Sequence, residues 1–531
     1  MPYDLFALIP LMAPGALLVA ALLARFWRGQ RPVPLFRLTE GAALLAIVVA
    51  LVSALALILD RPGMGSGLDA VSATMLVLVT FIGWVVLRYS ISYLDGEPRH
   101  GAFLGWMSAT LAAVLLLVQT GDLILLVIAW VAMSACLQRL LLFYSDRIQA
   151  IRAGRKKAIV ARTGDAALIG AAVLLYLGYQ TTDIQAILAA ARSGTAPGTA
   201  VWAAGLLALA AVLKSAQFPI HGWLTEVMET PTPVSALLHA GVINAGGFLL
   251  IRFSDVMLLA PGVLAVLVII GGFTALLGGL AMLAQPAVKT SLAWSTIAQM
   301  GFMIMQCGLA LFPLALLHIV AHSLYKAHAF LASGTAVDNV AAIRRPGPVA
   351  VPRGRAVLRA FGLALVIYAI IAGAFGAIYG FDSKSPQAIA LGAILIFGVA
   401  YLLAQGLADT APRILTRHTA LYAVAASISY FVLQTAAEWL TVGTLPATPA
   451  PGPLEWALLI LALCSFALVA LAQSMFPLWA YHPSTAGLRV HLSNGLYANA
   501  IFDRLLGGWS VDGHRARTGG ADMAGRSGSV S

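Results

Sequence analysis

The sequence predicts an all-α polytopic membrane protein with about 14–15 transmembrane helices. Of its 531 residues 60% are hydrophobic, and 10% are charged, against roughly 25% in an ordinary soluble domain. Mean hydropathy is +0.91 over the whole chain, which a single anchor could not produce, because many separate apolar spans are needed to sustain it. The composition therefore excludes a water-soluble enzyme.

The predicted spans are apolar windows of about 20 residues, the length that crosses a bilayer as a helix. We divide the chain into N-terminal helices (1–100), a first repeat (101–255), a second repeat (256–410), C-terminal helices (411–480) and a cytoplasmic tail (481–531). The windows are 4–24, 40–60, 69–93, 102–119, 122–144, 164–180, 200–220, 234–253, 257–283, 288–311, 312–333, 357–380, 387–407, 419–440 and 454–476.

The tail changes character along its length. Residues 488–506 have apolar residues at helical period, interrupted at Asn494-Gly495, which predicts either a helix that binds the membrane interface or a partner, or an amphipathic cap on the bundle. From Asp512 the chain is rich in Gly, Ser and Arg, and we expect it to be disordered.

The basic residues that give the chain its net charge of +11 predict how the spans are oriented in the membrane. Basic residues fall in short links separated by even numbers of predicted spans, so these links share one side of the membrane. We expect that side and the C-terminus to be cytoplasmic, the N-terminus to be outside, and the membrane to be a bacterial inner membrane. No basic stretch is interleaved with aromatic residues on a soluble fold, which argues against nucleic-acid binding. The links are 25–37, 147–157, 344–355 and 413–417, followed by the tail.

Ionisable residues inside the spans carry the functional information, because a charge at a helix centre costs roughly 2.5–3.5 kcal/mol. Lys214 lies deep in an apolar run and is either snorkelling to an interface or exchanging a proton as a nearby charge moves. Pro219 and Pro231 follow it and predict a broken helix, which membranes tolerate where it lines a cavity. The segment also contains His221, Glu226, Glu229 and His239.

A second group lies on one helix face. His318, His322 and Lys326 are spaced four apart, and Lys289 extends this polar line. Three stacked titratable groups favour a hydrated proton or cation path over a metal site, since no carboxylate or cysteine accompanies them. The three cysteines lack metal-ligand spacing and are predicted to be small core residues: Cys136, Cys307 and Cys464.

These motifs resemble a known family. The stretches KSAQFPIHGWL from Lys214, METPTPVSALLHA from Met228, KTSLAWSTIAQMG from Lys289 and HIVAHSLYKAHAFLASG from His318 are similar to the antiporter-like subunits of respiratory complex I and of Mrp-type cation/proton antiporters. With RTGD from Arg162, the resemblance covers about residues 70–340. It implies two inverted helical repeats, each with a broken helix. It also implies ion translocation through Lys214, His239, Lys289, His318, His322 and Lys326.

The departures from the family pattern are informative. The family has a Trp-Glu pair whose glutamate is the ion-pair partner of the broken-helix lysine, but here Val131 follows Trp130. Arg139 lies near this position and could repel Lys214, or Asp165 could take over the pairing. Lys384 lies about where the second broken-helix lysine is expected, in surroundings that do not match.

With these departures and its tail, the chain looks most like DabB, the membrane-subunit family of the DAB inorganic carbon accumulation complex. That resemblance implies a large cytoplasmic zinc-containing partner of the DabA type, with H+ or Na+ entry driving CO2 hydration to bicarbonate there. A proton-pumping subunit of a complex I-like oxidoreductase and an Mrp-type antiporter subunit are the alternatives. No cysteine cluster or dinucleotide fingerprint occurs, so we expect neither a catalytic site nor a cofactor in this chain.

Overall fold

The computed structural model describes residues 5–27, 33–59, 68–145, 147–335, 354–380, 384–406, 413–479 and 482–505. All regular secondary structure in these ranges is helical, which confirms the predicted fold class. Leu5–Leu11 is a 3-10 turn, and the α-helices are α1 Met12–Ala24, α2 Val33–Ile58, α3 Ala70–Tyr93, α4 His100–Gln119, α5 Leu123–Leu141, α6 Ile148–Tyr179, α7 Ile184–Arg192, α8 Gly198–Lys214, α9 Gly222–Glu226, α10 Thr232–Ala240, α11 Ala245–Arg252, α12 Ser254–Leu258, α13 Pro261–Ala281, α14 Val288–Gly308, α15 Phe312–Ala332, α16 Gly354–Tyr379, α17 Pro386–Gly406, α18 Arg413–Leu440, α19 Pro453–Ser474, α20 Phe476–Trp479, α21 Ala486–Ser493 and α22 Ala498–Leu505.

Each predicted window falls on a helix of the structure, except that 234–253 is divided between α10 and α11. Within the described ranges, 11 helices are long and apolar enough to cross a membrane, and Leu8–Ala24, Gly198–Lys214 and Pro386–Gly398 are shorter apolar helices. The largest boundary error is at α6, which begins at Ile148 and not near residue 164, and α2 and α18 also begin earlier than predicted, at Val33 and Arg413. Lys156 and Lys157, assigned from sequence to a basic link, are therefore buried inside a helix.

The helix is interrupted after Lys214, as the nearby prolines predict. Helix α8 ends there, the short α9 and a 3-10 turn follow, and α10 begins at Thr232. A second interruption separates α10 from α11 at the turn Val242–Asn244. The Ser215 hydroxyl donates to the Ile243 carbonyl at 3.1 Å. This contact satisfies a backbone acceptor at the interruption, as buried irregular backbone in a membrane requires.

Glycines allow α13 and α14 to pack backbone against backbone. A Cβ on Gly301 would lie 2.5 Å from the Ala275 nitrogen, and one on Gly271 would lie 2.6 Å from the Gly301 carbonyl. Gly278 and Gly308 make similar approaches one heptad away on each helix. Small residues at such an interface are typical of membrane helix pairs, which associate through close packing.

The largest apolar core joins the helices from α1 to α15, while α16 to α19 form smaller clusters beside it. Helices α16, α18 and α19 bury little of their surface, with 11%, 22% and 17% of their apolar windows inside the structure. Cys307 is buried as predicted, but Cys464 on α19 is exposed and Cys136 is half-buried, so the expectation of three core cysteines is wrong for Cys464. The predicted division into repeats stays a prediction.

Polar contacts tie the helix ends together at two opposite faces of the bundle. On the Arg252 face, buried Arg252 pairs with Asp69 and donates to the Thr120 carbonyl, while Arg192 pairs with Asp255 at 2.9 Å. The Lys156 face contains the ends around the start of α6, the break after α8, and α21 and α22. The basic stretch 147–157 and the C-terminal segment thus share one face, and which face is cytoplasmic stays a prediction.

The C-terminal helices α21 and α22, the lid segment Ala486–Leu505, pack on the bundle. Gln285 donates to the Ser493 carbonyl at 3.2 Å, and Lys156 pairs with Asp503 at 2.6 Å. The break between the two helices lies at Gly495, next to the interruption predicted from sequence. This packing agrees with the amphipathic cap, and binding of the segment's exposed apolar face, with Leu488, Val490 and Ile501, to the membrane interface or a partner stays a prediction. Residues 506–531, including the stretch expected to be disordered, lie outside the described residues.

Candidate ion-translocation site

Lys214 ends α8 in a half-buried position, and no carboxylate among the described residues forms a direct ion pair with it. Its Nζ donates to the Ser134 hydroxyl at 2.7 Å and lies 4.5 Å from the centre of the Trp130 ring. Trp130 and Ser134 lie on one face of α5, one turn apart. A hydroxyl can accept from an ammonium or donate to an amine, and the ring face stabilises a cation. This environment can therefore hold Lys214 in either protonation state.

A second lysine reaches the same serine. Lys157 of α6 is 5% exposed, and its Nζ donates to the Ser134 carbonyl at 3.0 Å. Both lysines line a cavity of about 20 Å³, together with Leu213 and Trp223. A cavity of this size can hold about one water, provided that polar groups face it. The two lysines thus border the same small cavity.

Two expectations concern the missing carboxylate: repulsion of Lys214 by Arg139, and pairing of Lys214 with Asp165. Asp165 is buried and pairs directly with Arg162 on its own helix at 3.0 Å, and it lies close enough to Lys214 to interact with it electrostatically without a direct ion pair. Arg139 is exposed on α5 and lies over the Trp106 ring at 5.8 Å, so it points away from Lys214. The expectation for Arg139 is wrong because nearness in sequence does not fix which helix face a side chain occupies.

The centre of the bundle contains a connected polar chain. His239 is fully buried, and its Nδ1 lies 3.1 Å from the Thr296 hydroxyl. Thr296 in turn donates to the Leu292 carbonyl at 2.9 Å, and that carbonyl also accepts from the fully buried Lys326 Nζ at 3.2 Å. With the Thr296 proton directed at Leu292, His239 Nδ1 carries the hydrogen and its Nε2 is a buried acceptor without a partner. That nitrogen is chemically suited to receive a proton.

The histidines of α15 continue this line. The His318 and His322 rings stack with centres 6.0 Å apart, as expected for residues one turn apart. His322 is buried, and neither of its ring nitrogens has a hydrogen-bond partner in the structure. Within the described residues, no three His, Cys, Asp or Glu side chains gather into a possible metal site. The prediction that His318, His322 and Lys326 share a face is confirmed.

Asn244 links the interrupted helix to this line. Its amide nitrogen donates to Ser323 Oγ on α15 at 2.8 Å and to the Ala240 carbonyl at 3.0 Å. Because Ser323 follows His322 in sequence, a shift of the interrupted helix α10–α11 would also displace His322 on α15.

Lys289 and Lys384 lie at the margins. Lys289 is half-buried and donates to the Thr232 hydroxyl at the start of α10, at 3.3 Å. Lys384 pairs with Glu438 at 2.7 Å, and both line an 890 Å³ open cavity on the Arg252 face. The structure therefore gives Lys384 a carboxylate partner and keeps it apart from the Lys214 site.

The remaining predicted residues lie at the Lys156 face. His221 is buried, stacks on Phe218 with ring centres 5.7 Å apart, and lies 4.9 Å from the Trp294 ring centre. Glu226 accepts from Lys156 Nζ at 2.6 Å. Glu229 ends the 3-10 turn of the break, and its side chain lies outside the described part of the structure.

Sequence reasoning missed several residues of the site. Ser134, Thr296 and Asn244 are ordinary small polar residues in apolar helices, and pairing across helices gives them their roles. Lys157 was missed because α6 begins at Ile148, within a basic run that the sequence analysis assigned to a link between spans. Lys156 is hidden in the same basic run.

A bundle of membrane-length helices with a helix broken beside a buried lysine, and with a histidine-lysine line through its centre, defines an antiporter-like ion-translocating subunit. Comparisons with known proteins agree with this class. The family model "NADH:quinone oxidoreductase/Mrp antiporter, TM" matches residues 120–346, and "NADH-Ubiquinone oxidoreductase (complex I), chain 5 N-terminus" matches residues 62–104. A chain of the Mrp complex from Dietzia sp. DQ12-45-1b has the same fold with a TM-score of 0.55 at 25% identity, over 99% of this chain and 60% of that one.

Among curated proteins, the probable inorganic carbon transporter subunit DabB2 of Halothiobacillus neapolitanus is 40% identical over 443 residues, which are 83% of this chain and 79% of that protein. The DabB subunit of Hydrogenovibrio crunogenus is 45% identical over 53% of this chain and 55% of its own length. NADH-quinone oxidoreductase subunit L of Escherichia coli is 35% identical over 51% of this chain and 44% of its length. The chain belongs to the DabB family of antiporter-like membrane subunits.

Proposed function

We propose that this protein is the membrane subunit of an energy-coupled inorganic carbon accumulation complex. In this proposal H+ or Na+ moves down its gradient through the chain, and the energy drives directional hydration of CO2 in a large cytoplasmic zinc-containing partner of the DabA type. The names of the DabB relatives support the substrate class. The chain itself supplies ion translocation, and the catalytic site belongs to the partner.

The observation that carries the proposal is the Lys214 site without its carboxylate. A lysine paired with a buried carboxylate is held as an ammonium, because separating the two charges in a low-dielectric interior is costly. Ser134 leaves Lys214 free to give up its proton at less cost. We infer that Lys214, in the first repeat, exchanges its proton readily and does not hold a fixed positive charge.

The path proposed beyond Lys214 uses the groups already described. The interrupted segment of α10 and α11 leads from Ser215 to Asn244, and the line then runs through His239, Thr296 and Lys326. Lys214, His239 and Lys326 are the titratable groups of this path, and Ser215, Asn244 and Thr296 are the polar groups between them, which is the composition that a proton path requires. Lys384 with Glu438 would serve the open cavity on the Arg252 face.

A complex I-like oxidoreductase subunit is the second candidate, and its support is the match to Escherichia coli subunit L over 273 residues. In that role the chain would pump protons outward as other subunits reduce quinone. The absent carboxylate at Val131 separates this chain from the family pattern and favours the carbon-transport proposal. An Mrp-type antiporter subunit has the same fold-level support.

Purification from the native membrane separates these candidates. A large soluble zinc-containing protein that co-purifies supports the proposal, and flavin or iron–sulfur subunits would overturn it in favour of the oxidoreductase.

Lys214→Met tests the chain's own role. We expect the complex to assemble, because removing a charge within the membrane relieves a burial cost, and bicarbonate accumulation to be lost. Full accumulation in this variant, with accumulation in the unaltered protein still abolished by an uncoupler, would show that Lys214 is only structural.

A further inference from the structure

The lid segment Ala486–Leu505 covers the broken helix itself. Gly495 of the lid packs closely on the bundle. A Cβ added to it would lie 2.6 Å from the Trp294 ring and 3.2 Å from His221 Nε2. At Gly222 an added Cβ would lie 1.9 Å from the Asn499 side-chain oxygen. The lid therefore rests on the start of α9, directly over the buried His221.

One lysine fastens the lid. Lys156 Nζ lies 2.6 Å from Asp503 of the lid, 2.6 Å from Glu226 of the break, and 2.8 Å from the Asn499 amide oxygen. Asn499 also donates to Glu226 at 2.6 Å. Lys156 is 4% exposed, and its two carboxylate partners are about 30% exposed (30% and 29%). A single buried cation thus joins the lid to the broken helix.

The lid contains a strained turn between its two helices. Gly495, Leu496 and Tyr497 have φ of 56°, 54° and 59°, three successive residues in the left-handed region. Leucine and tyrosine rarely adopt this conformation, and the strain persists only where surrounding contacts hold it. Removing those contacts would favour release of the turn.

We propose that Ala486–Leu505 is a lid that restricts access to the buried His221 at the broken helix, and that Lys156 with Asp503 and Glu226 is its latch. The next residue along α6, Lys157, contacts Ser134, which also holds Lys214. Movement of α6 would therefore be shared by the latch and the lysine site. The gating role rests on the proposed ion path, whereas the position of the lid does not.

The test measures access to His221. In a background with Cys136→Ser, Cys307→Ala and Cys464→Ser, the full-length chain carries His221→Cys, and membrane vesicles of both orientations are treated with a charged maleimide. We expect Asn499→Ala with Asp503→Ala to raise the labelling rate at least about tenfold, from the face that holds the lid, because the latch no longer opposes local opening. Ile501→Gln, on the exposed face of the same helix, is the matched control and should leave the rate unchanged. Equal rates in latch and control variants would overturn the lid.

Gly222→Val gives the same test from the other side of the contact, and it replaces the double variant if that protein fails to fold.

A separate experiment addresses gating: Gln285→Cys and Ser493→Cys are joined by a short, cleavable bifunctional thiol reagent. We expect ion flux to fall on joining and to recover on cleavage. Unchanged flux, in a protein whose flux is still lost with Lys214→Met, would show that the lid is a static cover. Flux insensitive to Lys214→Met would instead count against the ion path.

Discussion

Replacing Ser134 by alanine isolates the contact that takes the place of the missing carboxylate. Ser134→Ala removes the hydroxyl that accepts from Lys214, and it keeps the backbone carbonyl that accepts from Lys157. A hydrogen bond from a charged donor contributes about 1.5–3 kcal/mol. A factor of ten in an equilibrium constant corresponds to about 1.36 kcal/mol. Loss of the hydrogen bond would therefore lower the ratio of Lys214 ammonium bound at this site to Lys214 elsewhere by roughly 10- to 150-fold.

The Trp130 ring remains within 4.5 Å of Lys214 in this variant, and a cation–π contact retains about 0.5–2 kcal/mol. We therefore expect the lower end of the range, a loss of about tenfold in ion flux. The assay is bicarbonate accumulation in cells, together with ion uptake by proteoliposomes containing the purified complex. Ser134→Thr keeps a hydroxyl and should retain most of the flux.

Ser108→Ala is the matched control, because Ser108 is a fully buried serine whose hydroxyl makes no hydrogen bond. Its flux should equal that of the unaltered protein. The reasoning would be refuted if Ser134→Ala kept full flux. It would also be refuted if Ser134→Thr, which keeps a hydroxyl at this position, lost as much flux as Ser134→Ala.

Two further predictions concern stability, measured as thermal unfolding in detergent. Gly301→Ala should destabilise by about 1–3 kcal/mol, since its Cβ would meet backbone atoms of α13, whereas Gly262→Ala on α13 meets open space and should be nearly neutral. Arg252→Ala should cost about 3–5 kcal/mol by leaving the Asp69 carboxylate without its buried partner. Arg88→Ala, which breaks an exposed pair, should cost under about 1 kcal/mol, and similar losses for both arginines would contradict the burial argument.

Hydropathy was sufficient to locate the helices, because each span must hide about 20 residues of backbone from lipid and so leaves a long apolar window. The break after Lys214 followed from Pro219 and Pro231, which interrupt helical hydrogen bonding. The face shared by His318, His322 and Lys326 followed from helical spacing alone. These features are local in sequence, and local rules predicted them.

The contacts that define the lysine site are not local. Ser134 and Lys214 are 80 residues apart in the chain, and Lys157 and Ser134 are 23 apart. Arg139 was assigned to the site from sequence because it follows Trp130 by nine residues, yet its helix face is exposed. Lys156 and Lys157 were assigned to a topological signal, because composition cannot separate a basic loop from a basic helix start. Tertiary packing decides each of these cases.

Lys156 and Lys157 also show how one helix can serve two sites. Successive residues of an α-helix point about 100° apart, so adjacent lysines on α6 face different neighbours. Lys156 faces the carboxylates of the latch, and Lys157 faces the Ser134 carbonyl. Two buried cations on adjacent residues can be accommodated because each has its own acceptors. Loss of the latch acceptors would leave Lys156 as an unpaired buried charge. Opening of the lid must therefore be accompanied by hydration or movement at the start of α6, where the next residue, Lys157, contacts Ser134 of the lysine site.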